Sequence, residues 1–311
     1  RARRCLGVVG NRGMTGLLER PETTPPPSTT AAPRSTAWLW VLPPLLLVLL
    51  VVLYPLMRVF MESSADGSWG EVLGSEMFRD ALWRTVAIAA TSTIGCLVLG
   101  TFLAIVLAFV PFPGSAVVGR LIDTVLALPS FLITLAFTFL YGSAGAVNAA
   151  ISAITGSSSP MLDFLYTPAG VITAEITFFT PFVVRPLLAA FSLIPQAQLN
   201  VAASLGASPW RVLRAVILPE AWPALAAGGS LVLLLTLNEF GIVLFTGAKG
   251  VITLPVLIYT RGIVTFDLPG AAVIATVQVL LSLALYGLYR VVFARLTTRR
   301  GVGDAAVEPP K

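Results

Sequence analysis

Apolar residues in this chain come in long blocks instead of alternating with polar ones. Six blocks stand out, at residues 38–60, 81–110, 120–141, 168–190, 221–245 and 270–293. A helix rising 1.5 Å per residue needs about 20 apolar residues to cross a hydrocarbon layer of about 30 Å, and each block meets that length. The pattern therefore predicts an all-α membrane protein with about six transmembrane helices. Pro129 and Pro181 fall inside two of the blocks, where proline is expected to kink a helix.

Composition agrees with this pattern. Of 311 residues, 56% are hydrophobic and 11% are charged, and mean hydropathy is +0.89. Soluble chains carry about a quarter charged residues, so the deficit points to a polytopic membrane protein with lipid around it. The net charge of +5 comes from bases in tails and selected loops. That placement fits orientation in a membrane and gives no nucleic-acid surface.

Histidine is absent, and the two cysteines, Cys5 and Cys96, are far apart. No metal ligand set and no Ser-His-Asp triad can be assembled, so no catalytic or metal-binding residue is assigned. A phosphate-binding G-x-x-x-x-G-K-[ST] motif is also absent. No cofactor is expected to bind this chain, and the usual cradle for ATP phosphates is missing from it.

Charge placement sets the expected orientation. Residues 61–80 contain Glu62, Asp66, Glu71, Glu76 and Asp80 against Arg79, and residues 142–167 contain no Lys or Arg. Both are expected outside, with residues 191–220 and both termini in the cytoplasm. Residues 246–269, with Lys249 and Arg261 against Asp267, mildly oppose the rule. Three regions result: a disordered cytoplasmic tail at 1–37, a membrane domain at 38–293 and a cytoplasmic tail at 294–311. The Pro- and Thr-rich composition of the first cannot form a core.

One polar interruption has a pattern that each residue explains. Residues 200–219 read NVAASLGASPWRVLRAVILP. Small residues Ala202, Ala203 and Ser204 permit close approach of another surface, and Gly206 permits a sharp turn. Ser208-Pro209 reads as a helix start, with Ser capping and Pro in the first turn. Trp210, Leu213 and Ile217 share one helical face, while Arg211 and Arg214 lie on another. Leu218-Pro219 is expected to end the second helix. A loop with this pattern could also lie on a membrane surface with its arginines toward phosphates.

This stretch resembles the EAA loop of ABC-importer permeases: Glu-Ala-Ala, three residues, Gly, nine residues, Ile, one residue, Leu-Pro. Ala202, Gly206, Leu218 and Pro219 match, and Val216 replaces the Ile. Asn200 and Val201 replace the usual Glu and Ala, which removes an acidic contact at position 200. The resemblance covers residues 80–293. It implies a type I importer permease in a bacterial plasma membrane, forming half of a solute pathway. It also implies a second permease chain, two cytoplasmic ATPases using ATP and Mg, and an extracytoplasmic solute-binding protein. The ATPase-coupling residues are then Asn200, Ala202, Ala203, Gly206, Ser208, Arg211, Arg214, Leu218 and Pro219. Within the family, EFGIVLFTGAKGVITLPVLIY and SLGASPWRVLRAVILPEAWPAL look most like permeases for 2-aminoethylphosphonate. Importers of sulfate, molybdate, ferric iron, thiamine or polyamine share much of the pattern.

Ionisable residues in the spans are the remaining candidates, because they are costly in lipid. Glu239, flanked by Asn238 and Gly241, reads either as a pore or gate residue or as a carboxyl bonded to a neighbouring helix. Glu175 is a further pore candidate. Asp123 is expected to pair locally with Arg120, and Arg185 to reach headgroups or the 200–219 loop. Trp38, Trp40, Tyr54 and Tyr289 are expected as interfacial anchors. A secondary transporter would require ion ligands at the bilayer midplane, usually within an internal repeat, and no repeat is visible.

Overall fold

Among the described residues, six helical segments are long and apolar enough to cross a membrane: Trp40–Ser63, Glu76–Phe109, Ser130–Thr155, Pro168–Ser192, Pro209–Leu237 and Leu268–Arg295. The computed structural model describes residues 37–64, 67–156 and 160–304. Every element assigned there is helical. The tail expected at 1–37 lies outside the described residues, apart from its last position.

The chain divides into two compact units, one ending at Val52 and one starting at Leu53. In the first, the described residues form the opening part of helix α1 (Ala37–Ser63). The second contains everything else. Its elements are α2 (Ser68–Gly74), α3 (Glu76–Phe109), α4 (Ser115–Leu126), α5 (Ser130–Tyr141), α6 (Ala146–Thr155), α7 (Pro168–Phe179) and α8 (Pro181–Ser192). Then follow α9 (Gln196–Ser204), α10 (Pro209–Val212), α11 (Leu218–Leu237), α12 (Gly241–Thr246), α13 (Leu254–Tyr259) and α14 (Leu268–Asp304).

Several expectations change. The third span is not residues 120–141, because the helix stops at Leu126 and restarts at Ser130. Pro129 lacks an N–H and disfavours helical geometry at Leu128, so the chain turns there instead of kinking. The N–H groups of Ala127 and Leu128 close back on Thr124 and Val125 at 3.1 and 3.2 Å. The fifth span likewise ends at Leu237 and not at position 245. At the C-terminus the apolar span ends at Arg295, while α14 continues as helix to Asp304. Asp123 pairs with Arg185 of α8 and not with Arg120.

The main core is built by α3, α7, α8 and α11, whose buried faces include Cys96, Ala174, Val183, Leu187, Ala221 and Val232. Lipid tails are as apolar as leucine, so these helices associate through close packing. At Gly100 of α3, an added Cβ would sit 2.8 Å from Val183 Cβ and 3.4 Å from the Thr180 carbonyl oxygen. Gly229 of α11 similarly admits the Tyr289 ring. Tyr289 thus makes an interhelical contact, and its hydroxyl donates to the Leu225 carbonyl at 3.3 Å. A smaller cluster joins Val72, Phe78, Leu254, Leu257 and Ile274.

Gly100→Val is expected to destabilise the bundle by about 1–3 kcal/mol through overpacking, because the β-branched Val183 cannot swing aside. Gly70→Ala, with nothing within 4 Å of the new Cβ, is the control and should not lower stability. Thermal unfolding of the purified protein in detergent, read with membrane abundance, checks both.

Candidate functional site

The 200–219 stretch forms a helix, a tight turn and a second helix. Helix α9 ends in a paired cap: Gly206 N–H donates to Ala203 O at 2.9 Å, and Ala207 N–H donates to Ala202 O at 3.0 Å. This closure needs a left-handed residue, and Gly206 supplies it with φ 72°. An added Cβ at Gly206 would meet nothing within 4 Å, so glycine is required by conformation and not by crowding. The Ser208 hydroxyl then accepts from Arg211 N–H at 3.4 Å, and Pro209 occupies the first turn of α10.

The second helix does not end at Leu218-Pro219 as expected. It widens into a π turn over Leu213–Ile217 and runs on into α11. Pro219 explains the widening: it has no N–H to give Ala215, and its ring crowds that carbonyl. Leu218 N–H instead bonds Leu213 O, five residues back.

The turn presents apolar side chains at its surface. Val201, Leu205 and Trp210 are 59%, 81% and 66% exposed. Asn200, Arg211 and Arg214 are exposed beside them, with Asn200 accepting from Gln196 at 3.4 Å. Leu213 is half-buried and Ile217 buried, so one face is packed and the other presented. An apolar groove of about 500 Å³ lies between this region and the C-terminal end of α3, lined by Ile105, Phe109, Leu199, Ala203 and Trp210.

The two carboxyls differ. Glu239 lies in the break after α11, 9% exposed. Its Oε1 accepts from Ser130 Oγ at 3.0 Å and from Ile242 N–H at 2.8 Å. It thereby caps α12 and ties it to the start of α5. Asn238 and Gln278 serve the other side of the break. Asn238 donates to Leu234 O at 2.8 Å, and Gln278 donates to Leu237 O at 2.8 Å and Asn238 Oδ1 at 3.3 Å. Glu175 is fully buried at the α3–α7 contact. Ser92 is the polar side chain facing it from α3, but neither Glu175 oxygen has a hydrogen-bond partner among the described residues. Its side chain is thus enclosed between helices of this chain.

Gln278 and Ser130 were missed in the sequence because each is an ordinary polar residue in or beside an apolar block. Only the helix break in space reveals their role. Arg185, expected at headgroups or the surface loop, instead meets Asp123 with both side chains about two-fifths exposed. No group of three or more metal-ligating side chains occurs among the described residues.

These bonds predict a graded response at position 239. Glu239→Gln keeps an acceptor for Ser130 and Ile242 and should leave membrane abundance unchanged. Glu239→Leu leaves both donors unsatisfied and should cost about 1–3 kcal/mol, read as reduced abundance and a lowered melting temperature.

Known proteins place this arrangement in a family. Residues 97–298 match the family described as "Binding-protein-dependent transport system inner membrane component". The "Putative 2-aminoethylphosphonate transport system permease protein PhnU" of Salmonella paratyphi A is 50% identical over 269 residues, covering 84% of this chain and 93% of that protein. The sulfate transport system permease protein CysT of Escherichia coli K12 is 31% identical over 78% of this chain and 86% of its own. A solved bacterial ABC transporter involved in the import of the acidic polysaccharide alginate shares the fold, with TM-score 0.74 at 18% identity, covering 84% of this chain and 96% of that one. The chain belongs to the binding-protein-dependent transport system inner membrane component family and is a multi-pass permease subunit of an ABC importer.

Proposed function

We propose that this permease carries 2-aminoethylphosphonate inward, and that the turn centred on Gly206 is where a cytoplasmic ATPase docks. The substrate rests on the 50% identity to a permease named for that compound, over 93% of its length. The docking role rests on one observation: a rigid, doubly capped turn that projects Leu205 and Trp210 from the end of a membrane helix. Exposed apolar residues on a fixed backbone suit a protein contact better than solvent.

In this proposal two permease chains form the pathway, and each turn seats on one of two ATPase subunits that use ATP and Mg. An extracytoplasmic binding protein selects the solute and delivers it to the outer face. Both termini lie in the cytoplasm, as the charge placement requires. Ala202 and Ala203 supply the carbonyls that close the turn, Ser208 caps the following helix, and Arg211 and Arg214 contribute exposed charge. Leu218 and Pro219 set the π turn that joins the docking segment to α11.

Gly206→Asp tests the docking role. A non-glycine residue at φ 72° costs about 1–2 kcal/mol, and the carboxylate adds a charge to a packed contact. Uptake and ATPase co-purification should both be nearly abolished at normal membrane abundance, and Gly206→Ala should be intermediate. Arg211→Ala should be mild, since an exposed ionic contact is worth about 0–1 kcal/mol. Normal uptake in Gly206→Asp would reduce the turn to a surface helix.

A further inference from the structure

We infer that Asp80 and Arg84, one helical turn apart near the outer end of α3, receive the two charged ends of a zwitterionic solute at the mouth of the pathway. The inference rests on the 2-aminoethylphosphonate reading above and names where that molecule first meets this chain.

Both charges stand at the start of the apolar block of α3, which carries no charge from Thr85 to Phe109. Both side chains line a groove of about 270 Å³ completed by Trp83 and Thr91 of α3 and by Pro168 and Ile172 of α7. Asp80 is exposed and Arg84 half-buried. The ion pairs found among the described residues are Arg185–Asp123 and Arg261–Asp267, and neither uses Asp80 or Arg84. A base and an acid thus stand side by side in an open groove, uncommitted to each other.

The groove also leads somewhere. On α1 the exposed side chains are mostly leucine and valine, as suits a lipid-facing surface. On the flank made by α3 and α7, Thr91, Thr173 and Thr177 are exposed beside Ile94, Val98 and Phe102, with each hydroxyl donating to a carbonyl of its own helix. Farther along α8 comes the half-exposed Arg185 with Asp123. Charged side chains at membrane depth mark protein contacts or water-filled paths, and in this inference the Asp80–Arg84 groove and the Arg185–Asp123 pair lie on the flank turned toward the second chain.

The chemistry fits a small molecule with an ammonium and a phosphonate separated by two methylenes. Side chains at i and i+4 on a helix stand about 5–6 Å apart at Cβ. The Arg84 guanidinium suits the phosphonate oxygens, which it can engage through two parallel hydrogen bonds. The Asp80 carboxylate suits the ammonium, and the exposed Trp83 offers a π face to the same cation. An anion such as sulfate would leave Asp80 without a partner and be repelled by it.

The test uses the assembled importer in liposomes, with its ATPase and binding protein, and labelled 2-aminoethylphosphonate. Uptake is read beside the ATPase activity stimulated by the loaded binding protein. Arg84→Gln and Asp80→Asn should each lower uptake about tenfold, the effect of losing one charge-assisted contact, while stimulated ATPase activity is retained. Arg84→Lys keeps the charge and should stay within about threefold of the parent protein. Parent-level uptake in both charge-removing variants would overturn the inference and leave Arg84 and Trp83 as headgroup anchors. Equal loss of abundance in all three variants, Arg84→Lys included, would also overturn it in favour of a structural role. If the unaltered importer hydrolyses ATP with its binding protein yet takes up no 2-aminoethylphosphonate, the substrate reading itself fails.

Discussion

Hydrocarbon cannot hydrogen-bond a peptide group, so a helix that breaks inside a membrane segment must find partners for the N–H and C=O groups it frees. This chain breaks its helices repeatedly and satisfies these breaks in different ways. At 127–129 the freed N–H groups turn back on Thr124 and Val125. At 238–240 the answer combines two side chains of the break itself with one each from α5 and α14: Ser130 and Glu239 on the N-terminal side of α12, and Gln278 and Asn238 on the C-terminal side of α11. At Pro219 the backbone itself widens into a π turn. Satisfied breaks allow α11 and α12, or α4 and α5, to be separate rigid pieces without exposing bare backbone to lipid.

The same arrangement connects the surface turn to the interior. From Pro209 the helix continues through the π turn to Leu237, 29 residues without interruption, or roughly 40 Å by helix rise. One end is the capped turn at Gly206, and the other is the Asn238–Glu239–Gln278 node. The turn and the far break are thus the two ends of one continuous helical rod. Glu239 belongs to the fixed end of that rod. Its two hydrogen bonds make it a joint between α5 and α12, which favours the neighbour-bonded alternative over a free gate residue.

Helix number and class were legible because a six-block apolar pattern has few alternatives at these lengths. The turn at Gly206 was legible because Gly, Ser and Pro each carry a local rule, and the structure shows each of them: left-handed φ, an accepted cap bond and a first-turn proline. The boundaries near Pro129 and Asn238 were not legible, because hydropathy continues across both breaks and only the backbone changes. The partners of Asp123 and Glu239 were hidden for a different reason. A local rule favoured Arg120, three residues away, while the actual partner Arg185 lies 62 residues on, and a contact of that separation follows only from helix packing. Glu175 looked like a pore candidate by composition, yet packing against α3 covers it completely.

The central claim is that the Gly206 turn faces the cytoplasm and is covered there by another protein. Labelling of Leu205→Cys with a membrane-impermeant maleimide tests this directly, because Leu205 is 81% exposed and Cys96, the free cysteine among the described residues, is buried. Cys5 is changed to Ser for this measurement. The account predicts no labelling in intact cells, rapid labelling in inside-out vesicles stripped of the ATPase, and protection when the ATPase is restored. Strong labelling in intact cells would contradict it.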